Sequence, residues 1–395
     1  MLQYRTMGKT FLISAAEISG DKHAAHLVRA IKKKAPDTRF IGMGGEYLKQ
    51  AGVEIVCDIT QFSTIGLLEP LKYGRKIFQA YKKMAQVMKS TAINAFIPVD
   101  SQGFHMLLLK KAKQANIPAI YYISPQEWQW GTEEGGKKVL ALVNKILAIF
   151  PEEERFYNQC GGDATYVGHP CVDAIESNRI ERDNFCKINK LDGNKLFFSI
   201  FPGSRAQELT YLLPLFLNVL KEYSSDKTTL LPIVSVSSQK YKKKILKALK
   251  RHKLDHIHIY EGDSIQLIQH SHIALSSSGT ITLECALAKI PTVVAYKFHP
   301  FTYWFAKTFF RKKVDRIKYI SLPNLMRNKV VFPEFLQRDA NVVNINDQLN
   351  RLLDQSTRNK ITHELDLLSK QLEIKNASEV AADSVLDYVN TMNNS

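Results

Sequence analysis

Long apolar runs are missing from this 395-residue chain. No stretch approaches the ~18 residues that a membrane-crossing helix needs, so a spanning protein is not expected. Cysteine is scarce: the five present have no C-x-x-C spacing, which fits neither a disulfide framework nor a zinc knuckle and points to a reducing cytosol. Histidines and cysteines also lack the spacing of a metal site. There is no Gly-Lys-Ser/Thr of a Walker loop, and no G-x-S-x-G elbow or Ser-His-Asp order to support a hydrolase. Internal repeats, low-complexity tracts, and helix-turn-helix, RNP or zinc-finger patterns are absent as well. Acidic residues are outnumbered, 38 against 54 Lys and Arg, leaving a net charge of +16. That surplus calls for an anionic partner: nucleic acid, an anionic membrane face or a phosphorylated substrate.

What the chain does contain is alternation. Strand-like runs at Phe11–Ser14, Phe40–Met43, Ala95–Val99, Ala119–Ile123, Lys145–Phe150 and Ala164–Val167 are separated by helical patterns such as Lys22–Lys34. Export is not expected from the apolar start, because Glu17 and Asp21 follow at once and Phe11–Ser14 suits a first strand. A polar stretch, Glu176–Lys195, marks a junction. A second alternation follows at Phe197–Phe201, Leu230–Val236, His256–Tyr260, His272–Ser276 and Thr292–Tyr296. Continuous apolar strands between helices predict parallel sheets covered on both faces. The length predicts more than one domain. The expected fold class is α/β: two Rossmann-like doubly wound domains, 1–180 and 181–345, with ligands at strand C-terminal ends facing a central cleft. The remainder, 346–395, is expected to be helical and to pack back on the first domain or on a partner copy.

Two short glycine turns in the second half stand out: Pro202-Gly203-Ser204-Arg205 and Ser276-Ser277-Ser278-Gly279-Thr280. Each follows a strand-like run and opens a helical pattern, where unbonded amides suit phosphate. Arg205 could fork onto a diphosphate or a nucleobase carbonyl. Glu284, one turn into the second helix, could accept both ribose hydroxyls. In the first half, Glu17, Ser19, Gly20 and Asp21 follow the first strand, although Ser19 or Asp21 serves equally well as a helix N-cap. Asp100 ends an apolar strand, a place for a general base acting on a hydroxyl or for a helix cap. Trp128 and Trp130 sit among polar residues, suiting either a sugar or ordinary packing. Gly168-His169-Pro170 follows another strand end, where a lone histidine is more often a structural residue than a catalyst. Tyr296–Lys313, with Trp304, Phe305, Lys307 and Arg311, interleaves aromatic and basic residues; Ile65–Ile77, with Leu67 and Leu68, is similar in character. Such segments suit the headgroup layer of an anionic membrane, or a core helix with a basic edge.

In this order, these segments closely resemble the lipid-A-disaccharide synthase family of inverting GT-B glycosyltransferases. The resemblance runs from about Phe11 into the C-terminal helix. It rests on Glu17-x-Ser19-Gly20-Asp21, Ile65-Gly66 with Glu69, Asp100, Ser124-Pro125 with Trp128-x-Trp130, and Gly168-His169-Pro170. It continues through Pro202–Arg205, Ser278-Gly279-Thr280 with Glu284, Pro291–Tyr296 and Ser321–Leu325. The resemblance implies transfer of 2,3-diacylglucosamine from UDP-2,3-diacylglucosamine to 2,3-diacylglucosamine 1-phosphate, giving a β-1,6 disaccharide and UDP. It implies an acceptor and catalytic-base domain first and a donor-binding domain second. Asp100 becomes the base, with Glu17 and Ser19 near the reacting sugars. Gly203, Ser204, Arg205, Ser278, Gly279, Thr280, Glu284 and Asn324 fall on the UDP side. Neither metal nor cofactor is expected, because Arg205 and helix-end amides take the cationic role. The implied setting is a cytoplasmic, peripheral enzyme on the inner membrane of a Gram-negative cell, with a homodimer among the expected assemblies and no nucleic-acid partner.

The chain also departs from the family. Ala16 stands where a glycine is usual, and Gln102-Gly103-Phe104-His105 replaces a Pro-Asp-Phe-Asn string, so no second carboxylate backs Asp100. The alternatives are another GT-B enzyme of UDP-N-acetylglucosamine, either a peptidoglycan-type transferase or an epimerase, and a basic nucleic-acid-binding protein.

Overall fold

The computed structural model describes residues 8–60, 69–223, 229–298 and 318–394. The chain separates into two compact units: one runs to Pro170 and takes back the chain from Leu372 onward, and the other spans Cys171–Gln371.

The first unit alternates β1 (Thr10–Ala15), α1 (Ile18–Lys34), β2 (Arg39–Met43), α2 (Glu46–Gln50), β3 (Glu54–Cys57), α3 (Glu69–Ser90), β4 (Ala95–Val99), α4 (Gln102–Gln114), β5 (Ile120–Tyr122), α5 (Glu127–Trp130), α6 (Glu133–Leu140), β6 (Lys145–Ala148), α7 (Pro151–Gln159) and β7 (Ala164–Tyr166). The second holds α8 (Pro170–Ser177), α9 (Arg182–Asn189), β8 (Leu196–Phe201), α10 (Ala206–Tyr211), α11 (Leu213–Leu220), β9 (Leu230–Ser235), α12 (Gln239–Arg251), β10 (His258–Tyr260), α13 (Ser264–His270), β11 (Ser271–Ser277), α14 (Thr280–Leu287), β12 (Thr292–Tyr296), α15 (Leu322–Arg327), β13 (Glu334–Leu336), α16 (Val342–Leu352) and α17 (Gln355–Gln371). The final helix, α18 (Ala377–Asn394), belongs to the first unit.

The strands form a seven-stranded sheet, β3-β2-β1-β4-β5-β6-β7, and a six-stranded sheet, β10-β9-β8-β11-β12-β13. The paired strands of both are parallel. Their central residues are fully buried, as helices on both faces require: Phe11, Leu12 and Ile13 in β1, Phe96 and Ile97 in β4, Phe197 and Phe198 in β8, Ala274 and Leu275 in β11. Each sheet reverses its winding once, between β1 and β4 in the first and between β8 and β11 in the second. In doubly wound sheets the loops leaving such a point form the ligand crevice.

The β4–β5 ladder is weakened just before its end. Phe96 N donates to Pro118 O and Asp100 N to Tyr122 O, so alternate amides of β4 face β5. The residue between them is Pro98, which has no N–H to give.

The boundaries differ from those read in the sequence. The units part at Pro170, not 180, because α8 lies with the second unit, where Gln269 Nε2 donates to Ile175 O at 2.5 Å. Residues 346–371 also stay there: Leu349 and Leu352 enter its core, and Asp366 and Glu364 pair with Lys289 and Arg327. Only the chain from Leu372 returns, with α18 laid along α1.

Candidate active site

The residues leaving β1 and β4 come together because those strands are direct neighbours, Ala15 pairing with Val99. Beyond β1, Glu17 is the N-cap of α1 by its backbone, with no side-chain capping bond, and Ser19 is exposed in the first turn. Gly20 brings that turn against Asp100: a Cβ built on it would lie 3.6 Å from Asp100 Cβ. Asp21 points away, buried, with its oxygens accepting from Gly45 N at 2.7 Å and Tyr47 N at 3.0 Å. It caps α2 and locks α1 to the loop after β2. Burial pushes its carboxyl above the ordinary range, and those amides oppose the shift.

Asp100 and Ser101 both occupy the left-handed region, at φ 57° and 52°. Non-glycine residues there cost about 1–3 kcal/mol each and persist only where their surroundings hold them. The hold is on the Asp100 carbonyl. Tyr121 Oη donates to it at 2.9 Å, and His105 Nδ1 lies 2.5 Å away. A carbonyl only accepts, so Nδ1 carries the proton, and Nε2 accepts from Ser14 Oγ at 2.9 Å. Ser14, His105 and Tyr121 are all fully buried. Burial lowers the imidazole pKa to about 4, keeping it neutral.

The next loop is anchored in the same manner. Glu153 is buried under Ser124-Pro125, accepting from Ser124 N and Oγ at 3.2 and 2.5 Å and from Ile149 N and Phe150 N at 2.9 and 3.3 Å. Burial raises its carboxyl to about 7 against the pull of these donors. Tyr157 Oη donates to Pro125 O at 2.8 Å. Trp128 packs on Phe150 at 5.2 Å between ring centroids, and Phe150 on His169 at 4.8 Å. His169 is therefore a packed core residue, its pKa lowered by burial to about 3. Gln102 Nε2 donates to Glu127 Oε1 at 2.7 Å, tying the start of α4 to α5. Around this tie, Ser101 Oγ, Trp128 Nε1 and Gln129 Nε2 are shielded from solvent with no hydrogen-bond partner among the described residues. A polar ligand relieves that condition.

In the second unit β8 and β11 are neighbours, Phe201 pairing with Ser276, so the two glycine turns leave the sheet side by side. They are not equivalent. In the first, Glu208 is buried and its Oε2 accepts from Ser204 N at 2.8 Å and Arg205 N at 3.2 Å, while Oε1 takes Arg205 Nη1 at 3.0 Å. The expectation that these amides serve a phosphate is corrected: Glu208 occupies them. Gly203, at φ 113°, is required there, since a Cβ would lie 2.3 Å from Glu208 Oε2. The turn therefore presents the Arg205 guanidinium, held by Glu208. In the second turn no side chain caps α14, Gly279 has φ 152°, and nothing lies within 4 Å of a Cβ built on it. Thr280 opens the helix there. Ser278 Oγ donates to Ile320 O at 2.6 Å, and Ser264 Oγ to Glu284 Oε2 at 3.4 Å.

Asn324, expected on the UDP side, is held within its own segment. It is fully buried, with Oδ1 accepting from Val331 N at 2.7 Å and Phe332 N at 2.8 Å and Nδ2 donating to Phe332 O at 2.8 Å. It shapes the segment beside Ser278, whose Oγ donates to Ile320 O. Ile65, Leu67, Leu68, Trp304, Phe305, Lys307 and Arg311 lie outside the described residues. Among the described residues, no helix is long and apolar enough to cross a membrane, and no cluster of three or more His, Cys, Asp or Glu is placed to hold a metal ion. Sequence reading passed over Ser14, Tyr121, Glu153 and Glu208. Glu153 and Glu208 carried a signal, the N-cap-to-N3 spacing of a capping box.

A sequence profile of the lipid-A-disaccharide synthetase family matches residues 11–386. The lipid-A-disaccharide synthase of Coxiella burnetii (strain Dugway 5J108-111) is 33% identical over 382 residues, covering 96% of this chain and 99% of the relative. That of Actinobacillus pleuropneumoniae serotype 3 (strain JL03) is 33% identical over 387 residues, covering 95% of each. Among solved structures, the UDP-GlcNAc 2-epimerase from Neisseria meningitidis bound to UDP-GlcNAc superposes with a TM-score of 0.64 at 13% identity, over 96% of this chain and 100% of that one. At that identity the likeness extends to the two-sheet GT-B fold alone.

Proposed function

The chain belongs to the lipid-A-disaccharide synthase family, and from that premise we infer that it transfers 2,3-diacylglucosamine from UDP-2,3-diacylglucosamine to the 6-hydroxyl of 2,3-diacylglucosamine 1-phosphate. The products are the β-1,6 disaccharide of lipid A and UDP. The epimerase, peptidoglycan-type and nucleic-acid readings are not favoured by the family match.

In the proposed mechanism Asp100 takes the proton of the acceptor 6-hydroxyl as its oxygen attacks the donor anomeric carbon. Attack comes from the face opposite UDP, so the new bond is inverted. Negative charge gathers on the departing diphosphate. Arg205 offsets it, together with the uncapped start of α14 at Gly279 and Thr280. No metal or cofactor enters this account. Glu284 is the proposed ribose contact; Glu17 and Ser19 are the proposed contacts to the sugars, with Trp128 and Gln129 beside them.

The observation that carries the reading is the placing of Asp100. A half-buried carboxylate stands at the winding reversal of its sheet, on a backbone turned out of the strand direction and held there. Both substrates carry acyl chains, and the chain carries a net charge of +16. We therefore place the enzyme at the cytoplasmic face of the inner membrane as a peripheral protein, through its basic surface and the segments around 65–68 and 304–311. A homodimer is part of the same proposal. The test is incubation of the purified chain with both acylated sugars, reading UDP release and the disaccharide mass. UDP release without the disaccharide, or no turnover, refutes the assignment.

A further inference from the structure

We propose that His105 is a positioning residue for the Asp100 carboxylate, acting with Tyr121 through the Asp100 main chain. The inference rests on Asp100 being the base. The Asp100–Ser101 peptide joins two left-handed residues, and the strand ladder reaches only the N–H before it, Asp100 N donating to Tyr122 O at 3.2 Å, after Pro98 has left the β5 side of β4 one donor short. The imidazole N–H and the tyrosine hydroxyl instead converge on the Asp100 carbonyl at 2.5 and 2.9 Å. A peptide held at its oxygen cannot turn about its neighbouring bonds. With Asp100 N held by Tyr122 O as well, both peptides flanking Asp100 are fixed, and with them its φ and ψ and the direction in which Cβ carries the carboxylate past Gly20. Ser14 completes the hold by donating to Nε2 at 2.9 Å, which presents the Nδ1–H tautomer to the carbonyl. His105 touches no reacting atom in this scheme. Its effect is to keep a strained residue in one conformation, and a misplacement of about 1 Å at such a group costs on the order of 100-fold in rate.

Side-chain geometry gives a sharp test. An asparagine amide nitrogen falls where histidine Nδ1 lies, whereas a glutamine amide nitrogen falls where Nε2 lies. His105→Asn retains the bond to the Asp100 carbonyl and His105→Gln loses it. With the full-length enzyme and both substrates, His105→Gln is expected to lower kcat at least about tenfold with both KM values within about twofold, and His105→Asn to stay within about threefold of wild type. In an Asp100→Asn background, His105→Gln is expected to change turnover by less than about twofold, since the two act on one element. A loss that recurs undiminished in that background would mark a structural effect and overturn the proposal. So would equal kcat for the Asn and Gln variants. Should His105→Gln not fold, Tyr121→Phe, which removes a single hydroxyl from the same carbonyl, carries the same comparison. A fully active Asp100→Asn enzyme refutes the base assignment itself. An impaired Asp100→Asn with a silent His105→Gln and a silent Tyr121→Phe refutes the positioning alone.

Discussion

Asparagine tolerates the left-handed region about as well as aspartate, so Asp100→Asn removes the charge without disturbing φ. We expect turnover to fall at least ~100-fold, the scale of general-base loss, while UDP affinity measured by calorimetry stays within about twofold. An equal fall in UDP affinity would move Asp100 to the donor side. The histidine beneath it makes a separate prediction. His105 is neutral in the fold, with a pKa of about 4 against about 6.5 in an unfolded chain. Above pH 6.5 neither state binds the proton, and stability is full. Between 6.5 and 4 the unfolded chain takes a proton that the fold refuses, so stability falls as pH falls. Glu153, at about 7, works in the opposite direction over part of this range, so the net slope of the wild type is not diagnostic. The comparison with His105→Asn is. From pH 6 to 4.5 denaturant titrations should show the wild type losing up to about 1.4 kcal/mol per pH unit more than the variant. Parallel slopes would mean that His105 titrates normally. None of this was legible in the sequence. Asp100 could be singled out by its place at a strand end, but the bonds from Ser14 and Tyr121 cross from other strands, and only the sheet order brings them together.

At the scale of elements, the two glycine turns look alike as text and differ as structures. Both follow a strand and open a helix, and both read in the sequence as phosphate seats. Glu208 separates them by filling the first from inside, a bond that an Arg-x-x-Glu spacing announces once capping is considered. This makes Glu208 a support for Arg205 and not a ligand contact. Glu208→Ala is expected to destabilise the second unit by about 1–3 kcal/mol, through a lost cap and unsatisfied amides, and to weaken UDP binding at least about tenfold by releasing the guanidinium. Thermal unfolding with and without UDP reads both effects. If the ligand-induced shift is unchanged, Arg205 does not hold the diphosphate. The elements that sequence reading missed have a common cause. β3 and β13 are short, half-exposed edge strands, and α9 buries only Phe185 and Cys186. They lack the continuous apolar run that made the central strands conspicuous.

Over the whole molecule, connectivity and compactness do not coincide. The chain leaves the first unit at Pro170, builds the second, and returns at Leu372 to add α18 to the helix layer of the first. A run of leucines before 372 and the helical pattern after it read as one C-terminal segment, because no glycine or proline separates them. What divides them is the partner each meets. α16 faces the second core, while Ala381, Ala382, Val385, Leu386 and Val389 of α18 are buried with the helix laid along α1. The ion pairs from Lys33 and Lys34 to Glu379 and Asp383 are solvent-exposed or partly so and add little. Apolar burial holds the helix, at roughly 1.5–3 kcal/mol for each large side chain as an upper estimate. Val385, Leu386 and Val389 alone then approach the whole stability of an ordinary domain. Removing residues 372–395 should therefore unfold the first unit and leave the second intact. The expected outcome is a protein that still binds UDP, has no transferase activity, and is cut by protease only within residues 1–170. Leu386→Asp should act in the same direction at a lower denaturant concentration than wild type, without the deletion. A truncated enzyme with normal turnover and a protease-resistant first unit would show that α18 is an accessory to that fold and not one of its layers.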